Sequence, residues 1–478
     1  MDWLNNIVSW LNGYLWSYVL IVMLIGLGLW FTLRTKFVQL ACIPEMCRLV
    51  GEGAGAKPRE GHISTFQAFC VTTASRVGVG NIAGIAIAVV VGGPGAVFWM
   101  WVIAIIGAST GFVESTLAQI YKVPRKGGGF LGGPAFYIKN ALKSPFFAGL
   151  FAVLISVTYG LIFNSVQANT ISQSILTSFA IDPFYTGIGI AFVTGLVIFG
   201  GLTRISKVVA FLVPFMAGAY LIIAIIVTIL NIDQVPTVLA TIVKNAFGID
   251  SAMGAAVGMA MMTGIKRGLF SNEAGMGSVP NAAATADATH PVKQGLVQSF
   301  GVYFDTLLVC TASAMLVLLT PGLEEFRAQG ITGIALVQAG LTQELGAWTN
   351  TFITIVVLFF AFSSIIGNYF YGEINMDFIS RRRSAIWIFR AAVVAMVFVG
   401  SVASLQFVWD LADLFMALMA MVNLVAIALL GRFAFIALDD YLRQKREGVK
   451  NPEFDPNILP SKEGVFCWPR HREEEIEQ

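Results

Sequence analysis

Long apolar runs, parted by short polar stretches, repeat from one end of the chain almost to the other. A helix that crosses a bilayer needs about 20 mostly apolar residues. Eleven segments meet that length, near 15–33, 65–91, 95–121, 147–178, 184–202, 207–230, 250–287, 293–320, 349–373, 385–404 and 407–438. Two of them break the pattern. The segment at 65–91 carries Arg76 beside Gly78 and Gly80, and the segment at 250–287 is too long and carries Lys266, Arg267 and Glu273. Each glycine costs a helix about 1 kcal/mol relative to alanine, so both stretches read as helices that unwind inside the membrane. Ser271 and Asn272 are candidate caps for a second half-helix after the later break.

The two breaks share a short pattern. Arg76 is followed after four residues by Asn81-Ile-Ala-Gly84, and Arg267 after four residues by Asn272-Glu-Ala-Gly275. They fall in the second and seventh spans, so each opens a bundle of five. Five is odd, so two consecutive bundles run in opposite directions, as in transporters built from inverted repeats whose sites lie between broken helices. The expected fold is all-α and polytopic, with about 11 transmembrane helices. Its parts are an N-terminal helix and loop at 1–64, a first repeat at 65–230, a second at 231–440 and a polar tail at 441–478.

Composition agrees with a lipid solvent: 56% of the 478 residues are apolar and only 12% charged, about half the charged share of a soluble domain. The net charge of +2 gives no basic field for nucleic acid. Lys and Arg gather in alternate loops, at Arg34, Lys36, Arg48, Lys57 and Arg59, at Lys122, Arg125, Lys126, Lys139 and Lys143, at Arg204 and Lys207, at Lys293, and at Arg381, Arg382 and Arg383. The positive-inside rule then puts the amino terminus outside and the carboxyl terminus in the cytoplasm. The amino terminus lacks a basic n-region, so the first run reads as a retained span. The tail, with its acidic end, reads as a solvated extension, with Cys467-Trp468-Pro469 as a docking element the lesser alternative. Five isolated cysteines suggest no disulfide, and Gly127–Gly129 lacks the lysine of a phosphate loop. No catalytic constellation is present, which speaks against an enzyme, and two unequal breaks differ from the repeated filter of a channel.

Three motifs are more specific. The run Gly92-Gly-Pro-Gly-Ala-Val-Phe-Trp-Met-Trp-Val-Ile-Ala-Ile-Ile-Gly107, the Ser271-Asn-Glu-Ala-Gly275 stretch and Ser363-Ser-Ile-Ile-Gly-Asn-Tyr-Phe-Tyr-Gly-Glu373 resemble the alanine or glycine:cation symporter family. The likeness runs over roughly 15–438. It implies the amino acid–polyamine–organocation superfamily, its LeuT-type five-plus-five fold, and sodium-coupled uptake of a small neutral amino acid such as alanine or glycine. Serine or glutamine, with sodium or proton coupling, is the alternative. A monomer in the inner membrane of a prokaryote is the further expectation.

Residue chemistry and resemblance together give the candidate site. The Asn81 amide can cap a half-helix or offer oxygen to a cation and NH2 to a carboxylate; the resemblance favours a substrate or sodium contact. It also implies that the carbonyls of Ala74 and Val77, with Ser363 and Ser364, hold sodium. On their own, two mid-helix serines serve equally to bond the preceding turn or to complete an oxygen-liganded cation site. Gln167, with Asn164, Asn169 and Gln173, makes a polar face that either joins helices or, as the resemblance implies for Gln167, touches substrate. Phe270 either packs or closes over the substrate. Gly80, Ser271, Ser363 and Asn368 complete the implied substrate site. Arg76, Arg267, Glu273 and Glu114 are intramembrane charges, which need partners or water; pairing of Arg76 or Arg267 with Glu273, to stabilise the breaks or to act as a gate, is the expectation.

Overall fold

The computed structural model describes residues 2–55, 62–125, 128–199, 202–248 and 254–468. Lys57, Arg59, Lys126, Gly127, Pro469, His471 and the acidic end at 473–478 lie outside the described residues, as does the start of the seventh expected span at 250–253. For Arg204 and Lys207 the backbone alone is described, and it belongs to one helix, Leu202–Leu230, where a loop was expected.

Helices dominate the described residues. Those that frame the site are, in chain order, α1 (Asn5–Arg34), α2 (Ile43–Gly55), α3 (Thr65–Arg76), α4 (Ala83–Gly92), α5 (Gly95–Ile120), α6 (Pro145–Phe179), α7 (Pro183–Ile198) and α8 (Leu202–Leu230). There follow α9 (Val235–Ala246), α10 (Gly254–Asn272), α11 (Val279–Ala283), α12 (Pro291–Leu318), α13 (Gly333–Leu345), α14 (Trp348–Ile379), α15 (Arg383–Val402) and α16 (Leu405–Arg446). Among the described residues seven of these, α1, α5, α6, α12, α14, α15 and α16, are long and apolar enough to cross a membrane, and α8 with α9 makes an eighth, bent by 102°. The segments at 65–91 and 250–287 are, as expected, broken: each is a helix pair, α3 with α4 and α10 with α11, parted by non-helical backbone.

Local chemistry explains the boundaries. Ser64 opens α3 with a capping box, its hydroxyl accepting from Gln67 N while the Gln67 side chain accepts from Ser64 N. Proline stands in the first turn of α6, α7, α11 and α12, where its missing N–H costs nothing. Helix α5 is the hub, with α10, α11 and α12 packed along it. Gly264 and Gly268 let α10 lie against the Ala96–Ile103 stretch of α5, where a side chain at either would collide. Such small-residue contacts drive packing where lipid is as apolar as the partner. Peripheral α15 leaves most of its apolar surface uncovered, as a lipid-facing helix does.

The tail is a correction. Expected as a solvated extension, its described part folds back onto the ends of α5, α12 and α16. The Phe454 amide donates to Thr289 O at 3.0 Å and the Thr289 hydroxyl to Pro452 O at 2.8 Å. Trp468 is buried, its ring edge-on to Phe454 and its Nε1 donating to Gln119 O at 3.0 Å. Beneath it lies the buried Lys122 ammonium, 4.0 Å from the Phe130 ring centroid and 4.7 Å from that of Trp468. The ammonium donates to Gln119 Oε1 and Ala286 O, and burial pushes its pKa down to about 8. On the same side Glu45 of α2 is held down to about 2, chiefly by the Arg48 guanidinium and further by the Tyr441 hydroxyl. Apolar area and the indole hydrogen bond, more than charge, bind this tail. Trp468→Ala is expected to lower stability by about 3 kcal/mol and to expose 447–468 to protease; thermal unfolding in detergent and limited proteolysis check both.

Candidate functional site

The first break follows from two glycines and one polar ring of partners. After α3, the Gly78 amide turns back to Arg76 O and the Asn81 amide to Gly78 O. A side chain at Gly78 would meet Ser364 Oγ and, at 3.0 Å, Gln167 Oε1; at Gly80 it would strike the Phe270 ring. Only bare backbone fits between α6, α10 and α14 here. The freed Val79 N–H is taken by Gln167 Oε1 at 3.2 Å. The Ser364 hydroxyl donates to Ala74 O at 2.8 Å, bringing together two oxygens of the candidate sodium set. Val77 ends α3 with ψ of 78°, so its carbonyl leaves the helical direction. Ser363 differs: its hydroxyl bonds Phe360 O one turn back at 2.9 Å, the local use open to any mid-helix serine.

Asn81 bridges the two broken helices. Its Nδ2 donates to Ser271 Oγ at 3.1 Å and to Asp305 O at 3.2 Å, and its Oδ1 is buried without a hydrogen-bond partner. A buried carbonyl oxygen left over in this way is unfavourable unless something accepts the role of donor or cation. Thr73 Oγ1, one turn before the break, is likewise buried and unpartnered. Ala74 O, Ser364 Oγ and these oxygens are hard neutral ligands, the kind that suit sodium. Ser271 is not a cap: it lies inside α10 and faces Thr306 Oγ1 at 3.0 Å and Cys310 Sγ at 3.1 Å. Phe270 is clasped between Phe163 and Trp409, with ring centroids 4.7 and 4.9 Å away. Asn368 stands below Ser364 in α14 and joins Ser75 to Asn164.

The second break, residues 273–278, has Glu273, Gly275 and Gly277 in the left-handed region, with φ of 57°, 91° and 81°. Its freed amides point at Glu114 of α5, where Gly275 N and Gly277 N donate to the two carboxylate oxygens at 3.0 and 3.1 Å. Asn423 of α16 adds a third donor at 2.8 Å and accepts at its Oδ1 from Tyr137. Asn272, expected as a helix cap, instead closes a short turn by accepting from Ala274 N.

The expected ion pairs are corrected. Neither Arg76 nor Arg267 pairs with Glu273. Arg76 Nε meets Asp305 Oδ2 at 2.7 Å with both side chains fully buried, and lies flat over Gly301, where no side chain would fit. Asp305 sits in the π-helical stretch Tyr303–Cys310 of α12, whose widened turn is a common device at functional positions. Arg267 pairs with Asp413 of α16 and stacks its guanidinium 4.6 Å from the Trp409 ring centroid. Glu273 faces only hydroxyls, those of Ser75, Ser278 and Tyr159. Asp305, Asp413, Trp409 and Thr306 are thus site residues that sequence reasoning missed. The lone aspartates in apolar runs at 305 and 413 were the available signal.

Comparison with known proteins gives consistent results. A profile of the sodium:alanine symporter family matches residues 1–456. The chain is 50% identical over 466 residues to the probable sodium/glutamine symporter GlnT of Bacillus subtilis (strain 168), covering 98% of this chain and 96% of that one. It is 37% identical to the sodium/alanine symporter AgcS of Methanococcus maripaludis, covering 90% and 95%. Among solved structures, a manganese transporter mutant of Eremococcus coleocola shares the fold at a TM-score of 0.54 and 12% identity, over 85% of this chain and 92% of that one.

Removing one partner of a buried pair costs about 3–5 kcal/mol, whereas replacing both by apolar groups is often neutral. Asp305→Ala is therefore expected to unfold at markedly lower temperature in detergent. The double variant Arg76→Met/Asp305→Leu is expected to recover most of that loss.

Proposed function

The chain belongs to the sodium:alanine symporter family, a family of transporters and not of enzymes, and from that premise we propose that it imports alanine or glycine by alternating access. Sodium is the co-transported ion. The observation that carries the small-substrate reading is the Phe270 ring, seated over Gly80 and held by Phe163 and Trp409. In this reading the clasp limits the substrate to a short side chain beside the unwound backbone. Asn81, Gln167, Ser271 and Asn368 offer the amides and hydroxyl that a zwitterion requires, and half-helix amino termini favour its carboxylate. Sodium takes Ala74 O, Val77 O and Ser364 Oγ, with Ser363 joining once its hydroxyl turns from Phe360.

Two expectations belong to the same reading. The membrane part has eleven crossings in a LeuT-type inverted repeat, 65–230 and 231–440, with α3/α4 and α10/α11 as its broken helices. The chain works as a monomer in a prokaryotic inner membrane, amino terminus outside and tail inside.

Glutamine is the second reading, favoured by the 50% identity to a probable sodium/glutamine symporter. Uptake of labelled alanine into proteoliposomes, with an inward sodium gradient against an equal choline gradient, separates the two. Accumulation with sodium alone, displaced by glycine better than by glutamine, is the expected result. Stronger displacement by glutamine would transfer the assignment, and no sodium-driven uptake of any of them would reject it. Ser364→Ala is expected to raise the sodium concentration for half-maximal uptake about tenfold, the effect of roughly 1.4 kcal/mol, with near-normal uptake at saturating sodium. Ser363→Ala should do less.

A further inference from the structure

The hydrogen bonds around Glu273 run in one direction and leave it one hydrogen short as a carboxylate. Gly160 O is a backbone acceptor and nothing else. It fixes Asn164, whose Nδ2 donates to it at 3.0 Å. Asn164 Oδ1 therefore faces Asn368 and accepts from Asn368 Nδ2 at 3.1 Å. That in turn fixes Asn368 Oδ1 toward Ser75 Oγ, 2.8 Å away. Turning either amide over would set oxygen against oxygen, at Gly160 or between the two asparagines. The Ser75 hydroxyl carries a single hydrogen, and Asn368 takes it. Yet Ser75 Oγ is also 2.8 Å from Glu273 Oε1, a full hydrogen-bond length. The hydrogen in that contact has to come from Glu273.

We infer that Glu273 is a proton-binding site, occupied in this conformation, with Oε1–H donating to Ser75 Oγ and Oε2 accepting from the Ser278 hydroxyl at 2.6 Å. Glu114 makes the contrast. Its two oxygens face two backbone N–H groups and an amide NH2, donors that complete an anion. Glu273 has hydroxyls only, and Arg76, the cation nearest in charge terms, is committed to Asp305. An ionised carboxylate so placed would stand buried without a counter-ion, which is costly. The groups that face Glu273 are Arg76 on α3, Tyr159 on α6, whose hydroxyl hydrogen-bonds the carboxyl, Glu114 on α5, Asp305 on α12 and Tyr371 on α14, and the hydrogen between Ser75 Oγ and Oε1 is still left for Glu273 to supply. Glu273 is also held at φ of 57°, a strained backbone that pins the carboxyl between the two broken helices.

The inference does not depend on which amino acid is carried. It is tested on the whole purified protein by infrared absorption of carboxyl groups. A protonated-carboxyl band that is lost in Glu273→Gln and shifted in Ser75→Ala is the expected result. Glu273→Gln, whose amide donates to Ser75 and accepts from Ser278, should unfold within a few degrees of the wild type, whereas Glu273→Ala should not. If Glu273→Gln does not fold, the shift in Ser75→Ala decides alone. No change of that band in either protein would overturn the assignment.

Discussion

Backbone that leaves the helix inside a membrane must find all its hydrogen-bond partners in neighbouring protein, since lipid offers none. Everything around the centre of this molecule answers that constraint. The first break is closed by Gln167, Ser364 and Asn81, and the second by Glu114 with Asn423. These closers come from α4's flank, α5, α6, α14 and α16, so the two unwound stretches organise the packing of the whole bundle. Three glycines, at 78, 275 and 277, provide the contour, the first by absence of a side chain and the others by left-handed backbone.

The same constraint explains which features could be read from sequence. The breaks were legible because glycines and charges together inside apolar runs have few other uses. That Asn81, Gln167, Phe270, Ser271 and Ser364 lie together was legible as a spatial set, since they do converge around the breaks. Ion pairing was not. The partners of Arg76 and Arg267 are Asp305 and Asp413, far away in sequence, and local pattern says nothing about which helices meet. Glu114 was visible as an intramembrane charge, but its task of capping backbone amides appears only when α5 and the second break are side by side. The tail misled because its composition is polar, while the docking is done by a few apolar residues, Phe454, Val465, Cys467 and Trp468. The π-helical stretch around Asp305 has no signature at all in hydrophobic periodicity.

The site mixes neutral hard ligands with aromatic walls. Amides, hydroxyls and carbonyls line the breaks, while the nearby formal charges are engaged with one another or with backbone. If the breaks hold the cargo, as proposed, such a neutral lining would suit the exchange of a monovalent ion and a zwitterion. Phe270 and Trp409 pack together beside the first break, and Trp409 doubles as the shelf for the Arg267 guanidinium.

The Arg76–Asp305 pair also bears on how the chain is made. Arg76 enters the membrane early in synthesis, and its partner is supplied only when α12 emerges. In the interval a charged segment held in lipid would be unstable. The nascent helix α3 therefore needs a wet or protein-lined surrounding until α12 has been translated, so the packing around Arg76 is completed only after α12 arrives.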